Sequence, residues 1–596
     1  MTGLIGRSAG GERLEELAEA MASEDWYELD SVRAGAAAAG VLEHGTRDPD
    51  ANVVWRGDGL LGVVYGVVSN RDRLALSWED LFRGVADDSR DTLSRLDGPF
   101  ALACVDARAG AVHLATDRAG TRPLYYAVGD THGEDDTDAP EVTFASELGP
   151  LVAERADPAL DARAVSDLLL FGGVVGERTL VEGVASLPPA TRVTVDGGAS
   201  TERYWEPASP GLAPSGYPDR WLGDYRRALA DAATTAGDPS LWFPGDADSR
   251  IAAAVLADRS PPVRTLTAGA QSSGDREAAA QVAASLDAPN RQAHGDPDHH
   301  LVDAVADAVA STDAMVAWST VDALPYVTDR LHADADVLVH GDAALDAATW
   351  AGAVGADDSV AGALYENERV CPAGAVRDLL AADVDPLAAV DALVETSVDG
   401  PPERTAVDAA ARVRAATELR GRAVQRAQVG TRSLASGPLL DTAARMPAAY
   451  RVGTRPISAP VGAGAPPIRR AVVERLDADL AGLPAGPVGV EPADGSASGG
   501  DGSGGAPGTA PDVTTGDAYA RRYATDDRFR RFVDDLLDGV AERDPLDGEA
   551  VSALRDRLAA GELPTFTPVA ALTGLELWAR RHLDDAAARE RSTVEA

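Results

Sequence analysis

A change of hydrophobic pattern near residue 210 constrains the fold of this chain more than any other feature. Before it, short apolar runs such as LLGVVYGVVS (60–69) and FALACVDARAGAVHLATD (100–117) are separated by Gly and Asp, which is typical of antiparallel hairpins. After it, apolar strands such as PSLWFPG (239–245) and ADVLVHGDA (335–343) alternate with alanine-rich helical segments. That alternation predicts a parallel sheet wrapped by helices. The sequence therefore predicts an α+β domain followed by an α/β domain.

Composition predicts where these domains begin and end. At 596 residues the chain is too long for a single hydrophobic core. The Pro/Gly-rich stretch PASPGLAPSGYP, residues 207–218, predicts a linker between a domain over 1–206 and a second over 219–490. Residues 491–517 are rich in Gly, Ser and Asp without packing residues, so we expect a flexible insertion there. Helical segments over 518–596 carry an apolar face and are expected to pack on the second domain.

The charge of the chain limits its partners and its surroundings. Asp and Glu number 96 against 54 Lys and Arg, all 54 of them arginine, and the net charge is -42. Such a surface repels nucleic acid and anionic lipid, and it repels itself when salt is low. The acid excess and the missing lysine suggest a protein of a salt-accumulating cytoplasm. The alternative, disorder, fits poorly with 45% hydrophobic residues in clearly periodic segments.

Cysteine content and hydropathy indicate the compartment. Cys104 and Cys371 give neither a disulfide framework nor a metal-ligand spacing, which fits a reducing interior. The nine histidines form no ligand pattern. No apolar run approaches 18 residues and no signal peptide is evident, so we expect a soluble, cytoplasmic protein with no membrane or nucleic-acid partner.

Two loops of the second domain are candidates for one ligand site. Ligands on parallel sheets bind beyond the carboxyl ends of the strands. Residues 244–249, PGDADS, follow one predicted strand, and residues 341–346, GDAALD, follow another. The first loop lies between a predicted strand and a predicted helix, the arrangement in which phosphate is commonly bound, although the loop carries two aspartates. We therefore expect the two loops to share a site.

Several segments together resemble glutamine-dependent asparagine synthetases. They include FALACVDARAGAVHLATDRAGTRPLYYAVGD (100–130), FASELGPLV (144–152), ERTLVEGVASLPPATRVTVDGG (177–198) and GPLLDTAARMPAAYRV (437–452), and they cover nearly the whole chain in the family's order. The resemblance implies an N-terminal-nucleophile glutaminase domain with an αββα sandwich, then an α/β ATP-pyrophosphatase domain. It further implies ATP and magnesium, activation of aspartate as an acyl-adenylate, and amidation by ammonia released from glutamine. The acid excess would mark a divergent, haloarchaeal-type member.

The glutaminase site of the family is altered in this sequence. The family has Cys after the initiator Met, whereas this chain begins MTGLIG and places Thr2 there. Threonine is a nucleophile in other N-terminal hydrolases, where the free α-amine is the base. The alternative is that Thr2 is only a small residue after Met1. The family's substrate-gripping Asn-Gly-Glu becomes Tyr65-Gly66-Val67, which removes polar partners of glutamine.

The implied ATP and magnesium sites are also altered. The family's pyrophosphate loop Ser-Gly-Gly-x-Asp-Ser corresponds to residues 244–249, which keep Gly245, Asp248 and Ser249 but introduce Pro244 and Asp246. The family's Gly-Glu-Gly-x-Asp-Glu loop corresponds to residues 341–346. There, Gly341 is kept, the first and last acids become Asp342 and Asp346, and Leu345 replaces the middle aspartate. Two carboxylates can hold a partly hydrated magnesium. The alternative is a strand-end turn whose aspartates cap the next helix.

The family's phosphate-binding lysine has no counterpart. The family segment Lys-x-Ile-Leu-Arg aligns with PPIRR, so Pro466 replaces the lysine, and Arg469 or Arg470 could supply the missing charge. The family's Arg-x-Pro-Phe-Leu-Asp becomes SGPLLD, residues 436–441, without the arginine.

Two functions of different class remain open from the sequence. One is an asparagine-synthetase-like ligase acting on aspartate or a related carboxylate, with glutamine or ammonia as nitrogen source. The other is a non-catalytic relative that keeps the scaffold for binding, for regulation or for pairing with an active synthetase. The expected partners are small-molecule substrates if the protein is active, and either a second copy of the chain or an active synthetase.

Overall fold

The computed structural model describes most of the chain, and all structural statements concern that part. The described residues are 2–22, 25–45, 51–129, 141–208, 211–235, 239–243, 247–257, 263–268, 274–293, 297–321, 337–340, 348, 354, 359–417, 429–434, 436–451, 467–477, 480 and 515–584.

Two antiparallel six-stranded sheets make up the N-terminal region. In chain order the twelve strands are β1 Gly3–Arg7, β2 Glu28–Ala34, β3 Ala37–Glu43, β4 Val53–Gly57, β5 Leu60–Gly66, β6 Phe100–Asp106, β7 Ala111–Thr116, β8 Tyr125–Val128, β9 Val142–Ala145, β10 Ala185–Ser186, β11 Thr191–Val195 and β12 Ala199–Arg203. The first sheet has the order β10-β8-β9-β1-β3-β2 and the second β12-β11-β7-β6-β5-β4. Both are antiparallel throughout, as the hairpin signals predict.

The sheets pack face to face, with helices on their outer faces. The interior joins inward-facing residues of both sheets, among them Leu4, Val63 and Leu114. Helix α1 (Leu14–Glu19) covers the first sheet through Leu14 and Leu17. On the second sheet lies α2, Trp78–Ser94, which begins where the Ser77 side chain accepts a hydrogen bond from the amide of Asp80. Sheets buried on both faces require this covering, so the region has the four layers of an αββα sandwich.

A five-stranded parallel sheet forms the next part. Its strands are β13 Pro239–Trp242, β14 Arg264–Ala268, β15 Asn290–Ala293, β16 Val337–His340 and β17 Gly430–Ser433, in the order β15-β14-β13-β16-β17. All four pairings are parallel, as predicted. The edge strand β15 has the polar sequence NRQA, so hydrophobic pattern did not reveal it. Its Asn290 amide instead donates to the hydroxyls of Thr265 and Thr267, at 2.8 and 3.0 Å.

Helices surround and extend this sheet. Helices α3 Gly149–Ala153 and α4 Ala162–Phe171 lie between β9 and β10 in the chain. Those between β12 and β17 are α5 Tyr217–Thr235, α6 Ala247–Leu256, α7 Gly274–Ser285, α8 Pro297–Thr312, Val360–Glu368, Ala373–Leu379, Leu387–Glu395 and Pro402–Thr417. Those after β17 are Gly437–Ala444, Pro467–Leu476, Thr515–Thr525, Asp527–Val540, Gly548–Ala559 and Thr567–Ala579. The α/β pattern of the sequence is therefore present beside the antiparallel region.

Two predicted segment boundaries differ from the observed elements. The predicted linker 207–218 ends inside α5, because Tyr217 and Pro218 already form its first turn. Proline suits that place, since the first turn needs no intrahelical N–H. Of the predicted insertion 491–517, residues 491–514 lie outside the described part, whereas Thr515 begins a helix.

The last described helix packs against the α/β half. Helix Thr567–Ala579 contacts α8 and the short 3-10 helix Trp318–Thr320. The indole N–H of Trp318 donates to the Thr573 hydroxyl at 2.9 Å, and both side chains are fully buried. These contacts join the C-terminal helix to α8 and to the 3-10 helix that follows it.

Across the described ranges, no helix combines the length and the apolar character that crossing a bilayer requires.

A buried carboxylate on α4 makes stability depend on pH. Asp167 is 1% exposed and accepts hydrogen bonds from Nε and Nη2 of Arg178 at 3.0 and 2.8 Å, yet burial raises the pKa of Asp167 to about 7. A carboxyl group whose pKa is higher in the folded protein stabilises it most below the unfolded value of about 4. That stabilisation is lost as pH rises through about 7.

We therefore expect Asp167→Asn to flatten the pH profile. Between pH 5 and pH 8 the free energy of unfolding of the natural protein should fall by about 2 kcal/mol more than that of the variant. Denaturant unfolding at both pH values measures this. The exposed Asp157→Asn is the control, and parallel profiles for natural protein and Asp167→Asn would contradict the assignment.

The net charge of -42 predicts a second dependence, on salt. The screening length falls from about 30 Å at 0.01 M to about 3 Å at 1 M, so salt should relieve repulsion among the surface carboxylates. We expect the thermal unfolding midpoint to rise steadily with potassium chloride and to rise much less with an uncharged osmolyte. A midpoint independent of salt would show that surface repulsion does not limit stability.

Candidate functional site

Thr2 lies buried at the start of the first sheet. It is 4% exposed and directly precedes β1, which runs between β3 and β9. The amide of Leu4 donates to the Ser146 hydroxyl at 3.1 Å, and the amide of Ser146 returns a bond to the Leu4 carbonyl. Gly3 fits because an added Cβ would lie 1.9 Å from the Ser146 Oγ. Ser146 therefore fixes the backbone that positions Thr2.

The segment Tyr65-Gly66-Val67, which corresponds to the glutamine-binding residues of asparagine synthetases, lies at the end of strand β5. Tyr65 is fully buried, and Gly66 has φ +96, a conformation that favours glycine. The amide of Gly66 donates to the side-chain oxygen of Asn52 at 2.9 Å. Burial raises the pKa of the nearby Glu43 carboxyl, and the side chain of Asn52 opposes that shift. Sequence reasoning missed Asn52, because nothing in its neighbourhood marks it as a partner of Gly66.

A buried arginine joins this segment to the α/β half. Arg122 is 1% exposed, and its guanidinium carbon lies 5.4 Å from the centre of the Tyr65 ring. Its Nη1 donates to the hydroxyl of Thr431 on β17 at 3.2 Å. The sandwich therefore contacts the last strand of the parallel sheet through a side chain that also packs on Tyr65.

A second contact between the halves centres on Asp97. Its carboxylate accepts from the amide of Gly437 at 2.8 Å, from the Asn70 side-chain amide at 3.2 Å, and from Arg118. Arg118 also donates to the carbonyl of Ser94. Gly437 fits here because a Cβ would lie 2.2 Å from Arg118 Nη1. The SGPLLD segment thus contacts the sandwich just after β17 ends.

A small polar cavity lies in the same interface. Its volume of about 10 Å³ is room for about one water molecule. It is lined from the sandwich, from α5 and from the end of β17 by Ser69, Gly98, Pro99, Ala228, Asp231, Ala232, Arg432, Ser433 and Ser436. The carboxyl end of β17 therefore faces the sandwich.

The described part of the first predicted ligand loop lies at the start of α6. Pro244, Gly245 and Asp246 lie outside the described residues, whereas Asp248 and Ser249 stand in the first turn of α6. Ser249 is 6% exposed. The Nε of Arg469, on helix Pro467–Leu476, donates to Asp248 Oδ1 at 2.9 Å. The structure therefore brings Asp248, Ser249 and Arg469 together.

The second predicted loop, residues 341–346, lies outside the described residues. Gly341, Asp342, Leu345 and Asp346 lie outside the described residues, as does Pro466. The strands before the two loops, β13 and β16, are adjacent and parallel, so their last residues lie at one edge of the sheet. The two arginine candidates differ: Arg469 is 2% exposed, whereas Arg470 is exposed.

Comparison with known families identifies part of the sandwich. Residues 79–205 match the family described as a glutamine amidotransferase domain. The match runs from α2 through β12 and includes Asp97, Arg118 and Arg122. Thr2 and Gly66 precede it. No curated protein matches the chain.

The family match and the sheet arrangement together indicate a general class of protein and not a particular reaction. Residues 79–205, which match a glutamine amidotransferase domain, lie within the antiparallel sandwich, and that sandwich contacts the parallel sheet. Such a domain acts on small molecules, glutamine among them, and supports glutamine-dependent amidation in general.

Proposed function

We propose that the protein amidates a carboxylate, aspartate or a close relative, that it first activates with ATP, as asparagine synthetases do. The observation that supports this most is the position of the sandwich against the carboxyl end of β17. Ligands on parallel sheets bind at that edge. Nitrogen released in the sandwich would therefore reach the acceptor without crossing the α/β half.

Thr2 is our candidate nucleophile for glutamine hydrolysis. With Met1 removed, its α-amine accepts the hydroxyl proton as the oxygen attacks the amide carbon and then passes that proton to the amide nitrogen, which leaves as ammonia while an ester to Thr2 forms. Water then hydrolyses this ester and regenerates the hydroxyl.

The start of α6 is our candidate phosphate site. A helix N-terminus offers backbone N–H groups and a partial positive charge to an anion. Ser249 offers a hydroxyl and Arg469 a positive charge. Both favour a polyphosphate, whereas the two aspartates of the sequence PGDADS oppose it. ATP supplies the adenylyl group that makes the acceptor carboxylate reactive. By the family resemblance, Gly245 and Gly341 would belong to the nucleotide site, and Asp342 and Asp346 would hold magnesium; these four residues lie outside the described part of the chain.

A non-catalytic role is the second candidate, and two contacts favour it. The amide of Gly66 is already bound by Asn52, and the carboxylate of Asp248 is already bound by Arg469. Groups engaged inside the protein must exchange partners before they can bind a substrate. A protein in which they do not exchange would keep the fold for binding or for pairing with an active synthetase.

Formation of AMP from ATP tests the proposal. Purified protein in molar potassium chloride with ATP and magnesium should form AMP and pyrophosphate only when aspartate is present. Ser249→Ala, which removes a hydroxyl offered to the phosphates, should lower the rate about 100-fold or more, whereas the control Asp219→Ala, which alters an exposed ion pair with Arg475, should not. No AMP and no calorimetric nucleotide binding would favour the non-catalytic role.

Glutamine hydrolysis is tested separately. Ammonia release from glutamine should disappear in Thr2→Ala and persist in Thr2→Ser, which keeps a hydroxyl nucleophile. If only ammonium chloride supports amidation, the α/β half works and Thr2 is not a nucleophile.

A further inference from the structure

We propose that the connection between the sandwich and the α/β half is clamped in place and does not act as a hinge. The connection is the chain that leaves β12, residues 203–207, and the clamp is helix Pro402–Thr417 of the α/β half. Because this helix holds the connection at both ends, the two halves keep one fixed orientation without any bound ligand. This orientation requires no catalytic activity, so it goes beyond the proposed function.

An ion pair joins the last strand of the sandwich to the clamp helix. Both Nη atoms of Arg203, the final residue of β12, donate to the carboxylate of Asp408. The side chain of Asp408 is 1% exposed, and it also accepts from the amide of Val398 at 2.9 Å. Such a pair adds little net stability, but breaking it from one side leaves a buried charge. Its main effect is therefore to fix one arrangement of the two elements.

The clamp helix holds the connection a second time, one turn earlier. Arg404 lies four residues before Asp408 and so projects from the same side of the helix. Its Nε and Nη2 donate to the carbonyl of Pro207 at 3.1 and 3.0 Å, and its Nη1 donates to the carbonyl of Asp399 at 2.8 Å. Pro207 is buried, so its carbonyl needs such a donor. One face of one helix therefore holds both ends of the connection.

The residues between these two contacts pack into both halves. Tyr204 is 3% exposed, and its hydroxyl donates to the carbonyl of Thr116 in the sandwich at 2.6 Å. Trp205 packs against the cluster between the second sheet and α2, and also against the large cluster that includes the core of the α/β half. Segments that open easily have few buried apolar contacts. The connection has many, which is the opposite of what a hinge requires.

The chain beyond the clamp is also attached to the α/β half. The amide of Leu212 donates to the carbonyl of Arg445 at 2.9 Å, and the Tyr217 hydroxyl donates to the carbonyl of Thr442 at 2.8 Å. Both acceptors lie at the end of helix Gly437–Ala444. The described residues of the predicted linker 207–218 are therefore held on both sides of residues 209 and 210, which lie outside the described part.

Hydrogen exchange of the full-length protein tests whether the clamp holds the connection. In molar potassium chloride, exchange of the amides in residues 203–212 follows the population of the locally opened form. We expect Asp408→Asn to speed this exchange about 100-fold, because it breaks a buried ion pair from one side. Arg404→Met should speed it about 10-fold. The control Arg377→Met, which removes an exposed ion pair with Asp385, should leave it unchanged.

A distance between the halves tests whether the clamp sets their orientation. Spin labels are attached through Asp91→Cys on α2 and Asp391→Cys on helix Leu387–Glu395, both at exposed positions, whereas Cys104 and Cys371 are buried. We expect one narrow distance distribution without ligand, and a broader one when Asp408→Asn is added.

Three results would overturn the proposal. A broad distribution in the otherwise natural protein would show that the connection is a hinge. Unchanged exchange in folded Asp408→Asn and Arg404→Met would show that the helix does not hold the connection. Faster exchange with a distribution that stays narrow would show that other contacts set the orientation. Circular dichroism of each variant confirms that it is folded, and Arg404→Met decides the exchange test if Asp408→Asn does not fold.

Discussion

Replacing Asp97 with alanine is expected to lower the free energy of unfolding by about 3 to 5 kcal/mol, the cost of breaking a buried ion pair from one side. Arg118 and Asp97 have side-chain exposures of 9% and 6%, so the variant leaves a cation without its counter-charge. It also removes the acceptor of the Gly437 amide, which joins the two halves. Denaturant unfolding in molar potassium chloride measures the loss.

A surface carboxylate provides the control for Asp97. Asp72 pairs with Arg71 but is 89% exposed, so Asp72→Ala should change stability by less than about 1 kcal/mol. If Asp97→Ala were equally mild, the contact between Asp97, Arg118 and Gly437 would not hold the halves together.

Replacing Trp318 with alanine is the second large expected effect, about 3 to 5 kcal/mol. The indole is fully buried and contacts the rings of Tyr519, Phe529 and Phe566 at centroid distances of 4.9, 6.3 and 5.6 Å. The cavity left behind would separate the last helices from the α/β half, because these rings lie on or beside them.

Two further variants define the origin of that loss. Trp318→Phe keeps one aromatic ring but removes the rest of the indole and its hydrogen bond to Thr573, so it should cost less than Trp318→Ala, about 1 to 3 kcal/mol. Trp26→Ala removes an indole that is 42% exposed and should be much milder. Equal effects of Trp26→Ala and Trp318→Ala would contradict the packing described for the last helices.

Turn residues and apolar runs in the sequence predicted the hairpins and the apolar strands, because these elements depend on neighbouring residues. The hairpin of β6 and β7 could be predicted because short apolar runs flank Gly110, whose φ of +68 suits a tight turn. The parallel strands β13, β14 and β16 could be predicted as short apolar runs between helical segments. The polar strand β15 could not, because its side chains bond to threonines of β14 rather than fill a core.

The contacts of the candidate site could not be predicted from local sequence, because they join residues that are far apart along the chain. Arg122 and Thr431 are 309 residues apart, Asp97 and Gly437 are 340 apart, and Asp248 and Arg469 are 221 apart. Nothing local distinguishes Arg469 from Arg470, which are neighbours on helix Pro467–Leu476. The packing of that helix decides which of the two reaches Asp248. The resemblance to asparagine synthetases predicts roles for these segments, and those roles stay predictions; the structure adds the contact between Asp248 and Arg469.

Transfer of oxygen from the acceptor to AMP tests the central claim most directly. If the acceptor carboxylate attacks the α-phosphorus of ATP and pyrophosphate leaves, one carboxylate oxygen becomes bound to phosphorus. Nitrogen attack at the carbonyl carbon then releases AMP with that oxygen. With aspartate labelled by ¹⁸O in its side chain, and with ammonia as nitrogen source in molar potassium chloride, we predict AMP that carries one ¹⁸O atom. Unlabelled AMP, or ADP and phosphate in place of AMP and pyrophosphate, would contradict activation of the carboxylate by adenylation.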